Sequence, residues 1–273
     1  MSDELEKLLG YWLCAADFKA SERMRLKGEY GRLRAEYDFF DRGYSRRRLQ
    51  GEYQSLEAGS IGLSLPGDSI FDRVFGAYAD RPCGLFYKGD LGLIDTDCVT
   101  FAGSRQLSAY GEGLTRELVR SLGGLAVTIV SGGARGADSV AHRQAIASGL
   151  KTICVLGCGV NYAYPPENRE LFETIIQNGG VLLSEYLPER RPEKYFFPER
   201  NRIMAQLGSL IVIPEASATS GSLHTALCAD EYGKILITVP HDIHKPNGQG
   251  CNMLIASGAQ MLLKASDLKD YLL

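Results

Sequence analysis

An α/β fold with a mostly parallel sheet is predicted by three features of this 273-residue sequence. Continuous apolar runs of four to six residues, such as Leu125, Ala126, Val127, Thr128, Ile129 and Val130, alternate with helix-like stretches, which is the pattern of strands buried on both faces. The runs are followed by turns rich in glycine, serine and arginine. The apolar fraction, 45%, and the length suffice for one large domain with a small appendage. Right-handed crossovers then give a doubly wound, Rossmann-like sheet that binds ligands at the carboxyl ends of its strands.

The elements follow in order. Residues 1–65 carry the single tryptophan, Trp12, with many Arg and Glu. Leu5, Leu8, Leu9, Trp12 and Leu13 fall at helical spacing, so a short amphipathic helix is expected there and a second over 26–40. Arg46, Arg47 and Arg48 form a basic run that suits a solvated helix face. The turn signal Leu65, Pro66, Gly67, Asp68 sets the expected boundary: a small helical amino-terminal domain over 1–65 and the Rossmann-like domain over 66–273. Residues 84–90 read as a short edge strand. Strands are expected at 98–102, 125–130, 152–156, 181–184, 210–214 and 235–239. Helices are expected at 108–121, 137–148, 167–177, 200–207 and 219–232, with a last helix end and short strand over 255–263.

The net charge of −3 gives no global basic field, so nucleic-acid binding would need a local patch. No segment reads as a signal peptide or is long and apolar enough to span a bilayer. The odd count of seven cysteines, scattered through the chain, suits reduced thiols and a cytoplasmic location. Cys154 and Cys158 lack the second pair that a zinc site would need.

The chemistry gathers where the strands end. Gly103, Ser104 and Arg105 follow the strand at 98–102. Ser131, Gly132, Gly133, Ala134, Arg135 and Gly136 follow the strand at 125–130 and open a helix. Backbone N–H groups in such a turn can face an anion, glycine permits close approach, and an Arg fork suits phosphate. An ordinary strand-to-helix turn has the same composition, so both readings stand for the glycine cluster alone. The dinucleotide fingerprint, the Walker loop and the nucleophile elbow are all absent. His142 reads as a packing histidine. His241 and His244 lack a third ligand for a metal site. Glu185 and Glu215 read as capping residues or as partners of Arg200 or Arg202.

Taken together and in order, these motifs resemble the DprA/Smf DNA-processing family. The likeness rests on Gly103-Ser104-Arg105, on Ser131 to Asp138 with Ala141 and His142, and on Tyr164-Pro165 with Asn168. It continues through Ser184-Glu185, Phe197-Pro198-Glu199-Arg200-Asn201-Arg202, Ser220-Gly221-Ser222 and Gly258-Ala259. The resemblance implies a single-stranded DNA binder that protects incoming strands in natural transformation, helps load the RecA recombinase and forms homodimers. It implies no catalysis, no metal and no cofactor. Carried over by motif, the DNA pocket would use Gly103, Ser104 and Arg105, the backbone of Ser131, Gly132 and Gly133, and Arg169, Phe172, Arg200 and Asn201. Phe172 fits a base-stacking role and the buried face of its helix equally well. The sequence departs from the family at Val239-Pro240-His241, where Pro-Gly is common, and it stops at Leu273 without the winged-helix-like domain of many relatives. The competing reading is a lysine-decarboxylase-like nucleotide phosphoribohydrolase with Glu215 as its acid, or a small-nucleotide sensor using the same pocket.

Overall fold

The computed structural model describes Tyr11 and residues 46–272. The helices expected over 5–13 and 26–40 lie outside the described residues, apart from Tyr11. Helix α1 (Arg46–Ala58) leads into strand β1 (Gly62–Ser64), helix α2 (Ser69–Phe75) and strand β2 (Leu85–Gly89). Then strands and helices alternate: β3 (Asp97–Phe101), α3 (Ala109–Ser121), β4 (Val127–Ser131), α4 (Ala137–Ala147), β5 (Lys151–Val155), α5 (Arg169–Gln177) and β6 (Val181–Ser184). The series ends with α6 (Phe196–Leu207), β7 (Leu210–Ile213), α7 (Ser222–Glu231), β8 (Ile235–Thr238), α8 (Gln249–Ala256) and β9 (Gln260–Met261).

Among the described residues the strands form one nine-stranded sheet in the order β1-β2-β6-β5-β4-β3-β7-β8-β9. It is the expected α/β, Rossmann-like sheet: β6 through β9 run parallel, and β1 and β2 add antiparallel at one side. One expectation is corrected. The strand read as an edge, β2, is an inner strand, because β1 covers it on the far side. β1, at 62–64, lies just before the boundary expected at 65/66 and is hydrogen-bonded into the sheet. Tyr11 also reaches the sheet, its ring meeting Phe86 of β2 edge-on at 6.1 Å.

Alternation along the strands fills both faces. On β4, Ile129 packs with Leu118, Val119 and Ala141 of α3 and α4, while its neighbour Val130 packs with Ile203 and Met204 of α6. On β7, Leu210 and Val212 join the first layer, Ile211 and Ile213 the second. Each such side chain, fully removed from water, contributes about 1.5–3 kcal/mol.

Two local features position the functional edge. The chain walks outward from β3 to β6, then returns to lay β7 on the other side of β3. A crevice therefore opens between the carboxyl ends of β3 and β7, where ligands of such sheets bind. Helix α6 starts at Phe196, four residues earlier than expected, in spite of Pro198. Pro198 stands in the first turn, whose N–H groups have no intrahelical partner, so its missing donor costs nothing. A buried ion pair anchors this helix: Arg202 Nη2 donates to both oxygens of Glu185, at 2.9 and 2.8 Å, and the Cys83 N–H donates to the same carboxylate. Of the two arginines weighed for Glu185, the fold selects Arg202.

Candidate nucleic-acid interface

The turn after β3 is set by hydrogen bonds to its neighbours. Ser104 N–H donates to Glu215 O beyond β7, and Ala137 N–H, at the start of α4, donates to Ser104 O. A Cβ on Gly103 would sit 2.7 Å from the Ala137 Cβ, so glycine is needed for this close stacking of turns. Gly136 serves the same purpose from the other side. It adopts φ 72° and ψ −127°, a region closed to other residues, and a Cβ there would fall 2.2 Å from Ser104 O. The result is that Arg105 is held out at the crevice, exposed to solvent.

The crevice encloses about 630 Å³. Gly103, Ser104 and Arg105 form one wall. Phe197, Arg200 and Asn201 of α6, with Lys194 just before it, form a second, and Ser220, Gly221 and Ser222 at the start of α7 close the far end. Lys194 is exposed, as is Arg105. The Ser220 and Ser222 hydroxyls stand 2.8 Å apart. A recess of about 60 Å³ runs beside Arg105 between Gly132, Gly157, Tyr164 and Phe197.

The ten residues expected at the site separate into three groups. Gly103, Ser104, Arg105 and Asn201 line the crevice. Arg169 is exposed at the first position of α5 but lines neither the crevice nor the recess. The others are committed inward. Ser131 is fully buried, and its hydroxyl donates to Phe101 O at 2.7 Å. At Gly132 the room a side chain would need is taken by the Arg200 guanidinium. Gly133, at φ 68°, is packed on Cys154 and on the Phe172 ring. These glycines thus admit protein side chains, which corrects the expectation that they were free for close approach of a strand; Gly132 alone keeps an opening, onto the small recess. Phe172 requires the plainest correction. Only 4% exposed, it packs in the core with Leu171, Ile175 and Leu182, so no base can reach its face.

Arg200 is also 4% exposed. Its Nη1 donates to Val155 O at 2.8 Å, and its Nε has no hydrogen-bond partner among the described residues. Burial disfavours its charged form, and the carboxylate of Asp138 opposes that effect. Asp138, held above the usual carboxylate range by burial, accepts from Ala134 N–H at 3.2 Å, while Asn168 donates to Gly133 O and Ala134 O. These motif residues hold the glycine turn in shape. Arg135 is exposed and donates through Nε to Glu167.

His142 is fully buried at the back of this turn. The Thr152 hydroxyl donates to Ile129 O, so it must accept from His142 Nδ1–H at 2.7 Å, which fixes the tautomer. Burial, with the charge of Arg200, pushes the imidazole pKa down to about 3. The histidine is a neutral packing group, as its sequence setting suggested. Glu215, 1% exposed, accepts from the N–H and hydroxyl of Ser108, the N-cap of α3. This carboxylate caps a helix and is not presented to the crevice. His241 is spent in the same way, with Nε2 2.9 Å from Pro214 O and its N–H donating to Asn252. Among the described residues no three His, Cys, Asp or Glu side chains converge as a metal site would require, and no helix is long and apolar enough to cross a membrane.

The sequence reading missed Tyr164, Phe197 and Lys194. Tyr164 is 40% exposed, and its ring lies 5.6 Å from that of Phe197. Both aromatics occur within the motifs used above, but only the fold shows that they face outward.

Comparison with known proteins places the fold in a family. The model of the family described as DNA recombination-mediator protein A matches residues 63–272. Protein Smf of Escherichia coli K12 is 36% identical over 230 residues, which is 84% of this chain and 61% of that protein. DNA processing protein DprA of Streptococcus pneumoniae is 39% identical over 189 residues, 69% of this chain and 66% of that protein. The chain thus spans just under two thirds of the length of these relatives. Among solved structures, DNA processing protein A from Streptococcus pneumoniae superposes with a TM-score of 0.79 at 30% identity, covering 98% of this chain and 92% of that one. DNA processing protein A from Helicobacter pylori, studied for its single-stranded DNA binding mode, superposes with a TM-score of 0.69 at 32% identity, covering 78% and 95%.

Proposed function

We propose a function from one premise: this chain belongs to the DNA recombination-mediator protein A family, the DprA/Smf group of DNA-processing proteins. It binds single-stranded DNA in the crevice between β3 and β7. It acts as a binding protein and not as an enzyme, protecting strands that enter the cytosol in natural transformation and passing them to RecA. It does so as a homodimer and without a metal or nucleotide.

The observation that carries this reading is the placement of Arg105. It is a solvent-exposed guanidinium held at the switch-point crevice by two turns that pack on each other, with Lys194 on the opposite wall. Guanidinium and ammonium groups take successive phosphates, and the serine hydroxyls and the Asn201 amide supply further polar contacts. Gly103, Ser104, Arg105 and Asn201 make the contacts inside the crevice, and Arg169, exposed beyond it, meets the strand outside. Ser131, Gly132, Gly133 and Arg200 stand behind it as the wall that shapes it. The phosphoribohydrolase reading is not favoured, because Glu215, its acid, is held by Ser108.

Titration with labelled oligo-dT at several salt concentrations tests this function. Tight binding is expected, with log affinity falling against log salt by about 0.7 per phosphate contacted. Absence of binding at low salt overturns the reading. Light scattering at micromolar concentration tests the dimer, and co-sedimentation with RecA tests the hand-over.

A further inference from the structure

The crevice holds more than cations. Arg105 lies over the Phe197 ring, its Cζ 5.2 Å from the ring centroid, and the Tyr164 ring meets the same phenyl at 5.6 Å with the planes tilted by 44°. Phe197 is seated on Gly157, where a Cβ would come within 2.9 Å of its ring. The seat therefore requires glycine two residues after β5, and the ring it carries lines the crevice. Phe172, the aromatic that the sequence offered for this role, is closed off.

Phosphate binding needs no aromatic surface. Two partly open rings stand in a crevice lined by Arg, Lys, Ser and Asn together with Asp138 and small or apolar groups such as Ala102 and Met204, and rings beside cations suit a ligand with a flat apolar face as well as charge. An unpaired nucleotide has both. A base in a duplex has its faces covered by its neighbours and cannot offer one.

We propose that Phe197 and Tyr164 form the base-stacking surface of the crevice. Arg105, which lies over Phe197, moves to a phosphate when a strand binds, and an unpaired base takes its place on the ring. The exchange couples the two contacts, since the cation leaves the ring only where a phosphate and a base arrive together. Preference for single strands then follows from the need for an uncovered base face. This inference rests on the single-stranded DNA reading.

The test uses the full chain with two strands, oligo-dT and a strand of the same length carrying abasic sites, each titrated across salt. Wild type should bind the abasic strand more weakly than oligo-dT. Phe197→Leu should lose roughly tenfold on oligo-dT with an unchanged salt slope, and lose nothing further on the abasic strand. Phe197→Trp should retain binding. Tyr164→Leu, at an exposed ring whose removal leaves the core intact, should show the same pattern with a smaller loss, and it decides the matter if Phe197→Leu does not fold. Equal losses on both strands overturn the proposal, as does the absence of any loss on oligo-dT or equal wild-type affinity for the two strands. If wild type does not bind oligo-dT at all, the functional reading falls and this inference falls with it. If wild type binds and the variants match it, only this inference falls.

Discussion

Two turns end side by side at one edge of the sheet, and they divide the labour unequally. The turn after β4 is rich in glycine and has the composition of an anion cradle. Its serine is bonded to β3, one glycine is covered by Arg200 and another by Phe172. The turn after β3 has a single glycine and one arginine, and it is the turn that faces the crevice. Gly136 connects the two, because only a glycine leaves room for Ser104 and Arg105 to lie on the glycine turn. The richer motif is the bed, and the plainer one is the face turned to the crevice. Residue composition therefore says where the chain must approach something closely. It does not say whether that something is a ligand or the protein itself.

The comparison breaks most sharply at Gly136. Gly136→Ala forces a backbone clash and a forbidden φ/ψ pair, and should cost about 3 kcal/mol of stability by denaturant unfolding. DNA binding should fall with it, because the bed moves under Arg105. Stable protein with intact binding would contradict the bed.

Next comes the buried face of the glycine turn. The folded protein holds His142 neutral down to about pH 3, whereas the unfolded chain protonates near 6.5. The unfolded state binds the extra proton between those values, so stability falls as pH drops through 6.5 and continues to fall until about 3. About 2 kcal/mol should be lost by pH 5. His142→Gln, which can still donate to Thr152, should flatten that slope in thermal melts across the same range. An unflattened slope would place the titrating group elsewhere.

Arg105→Ala probes the other turn. It should leave stability within about 0.5 kcal/mol, as for an exposed side chain. Affinity for oligo-dT should fall roughly tenfold, and the salt slope should flatten by about one contact. The smallest effect belongs to Arg135→Ala. Its pair with Glu167 is exposed and screened by water, and neither stability nor salt slope should change measurably. A slope change there would return the glycine turn to the DNA-contacting set.

The sheet was legible because buried parallel strands leave long apolar runs. The strands at 98–102, 125–130 and 181–184 each emerge within two residues of their expected bounds. β1 was not legible, since three residues carry no periodicity and its pairing with β2 is non-local. The early start of α6 was hidden by Pro198, which usually marks a break but is harmless in a first turn. At the site, Arg105 could be found from its place after a strand. Phe172 and Phe197 could not be separated, because orientation depends on which neighbours fill the space. Phe172 meets Gly133 in the core, whereas Phe197 rests on Gly157 at the surface.

The return of β7 to the side of β3 also has a consequence in time. β3 and its arginine turn are among the first parts of the sheet to leave the ribosome. Their neighbour across the crevice arrives only after β4, β5 and β6 have been made. A nascent chain thus carries Arg105 long before it has an opposite wall, and such non-local pairings form late. The wall opposite Arg105 is therefore complete only after β7 has docked beside β3 and α6 and α7 have taken their places.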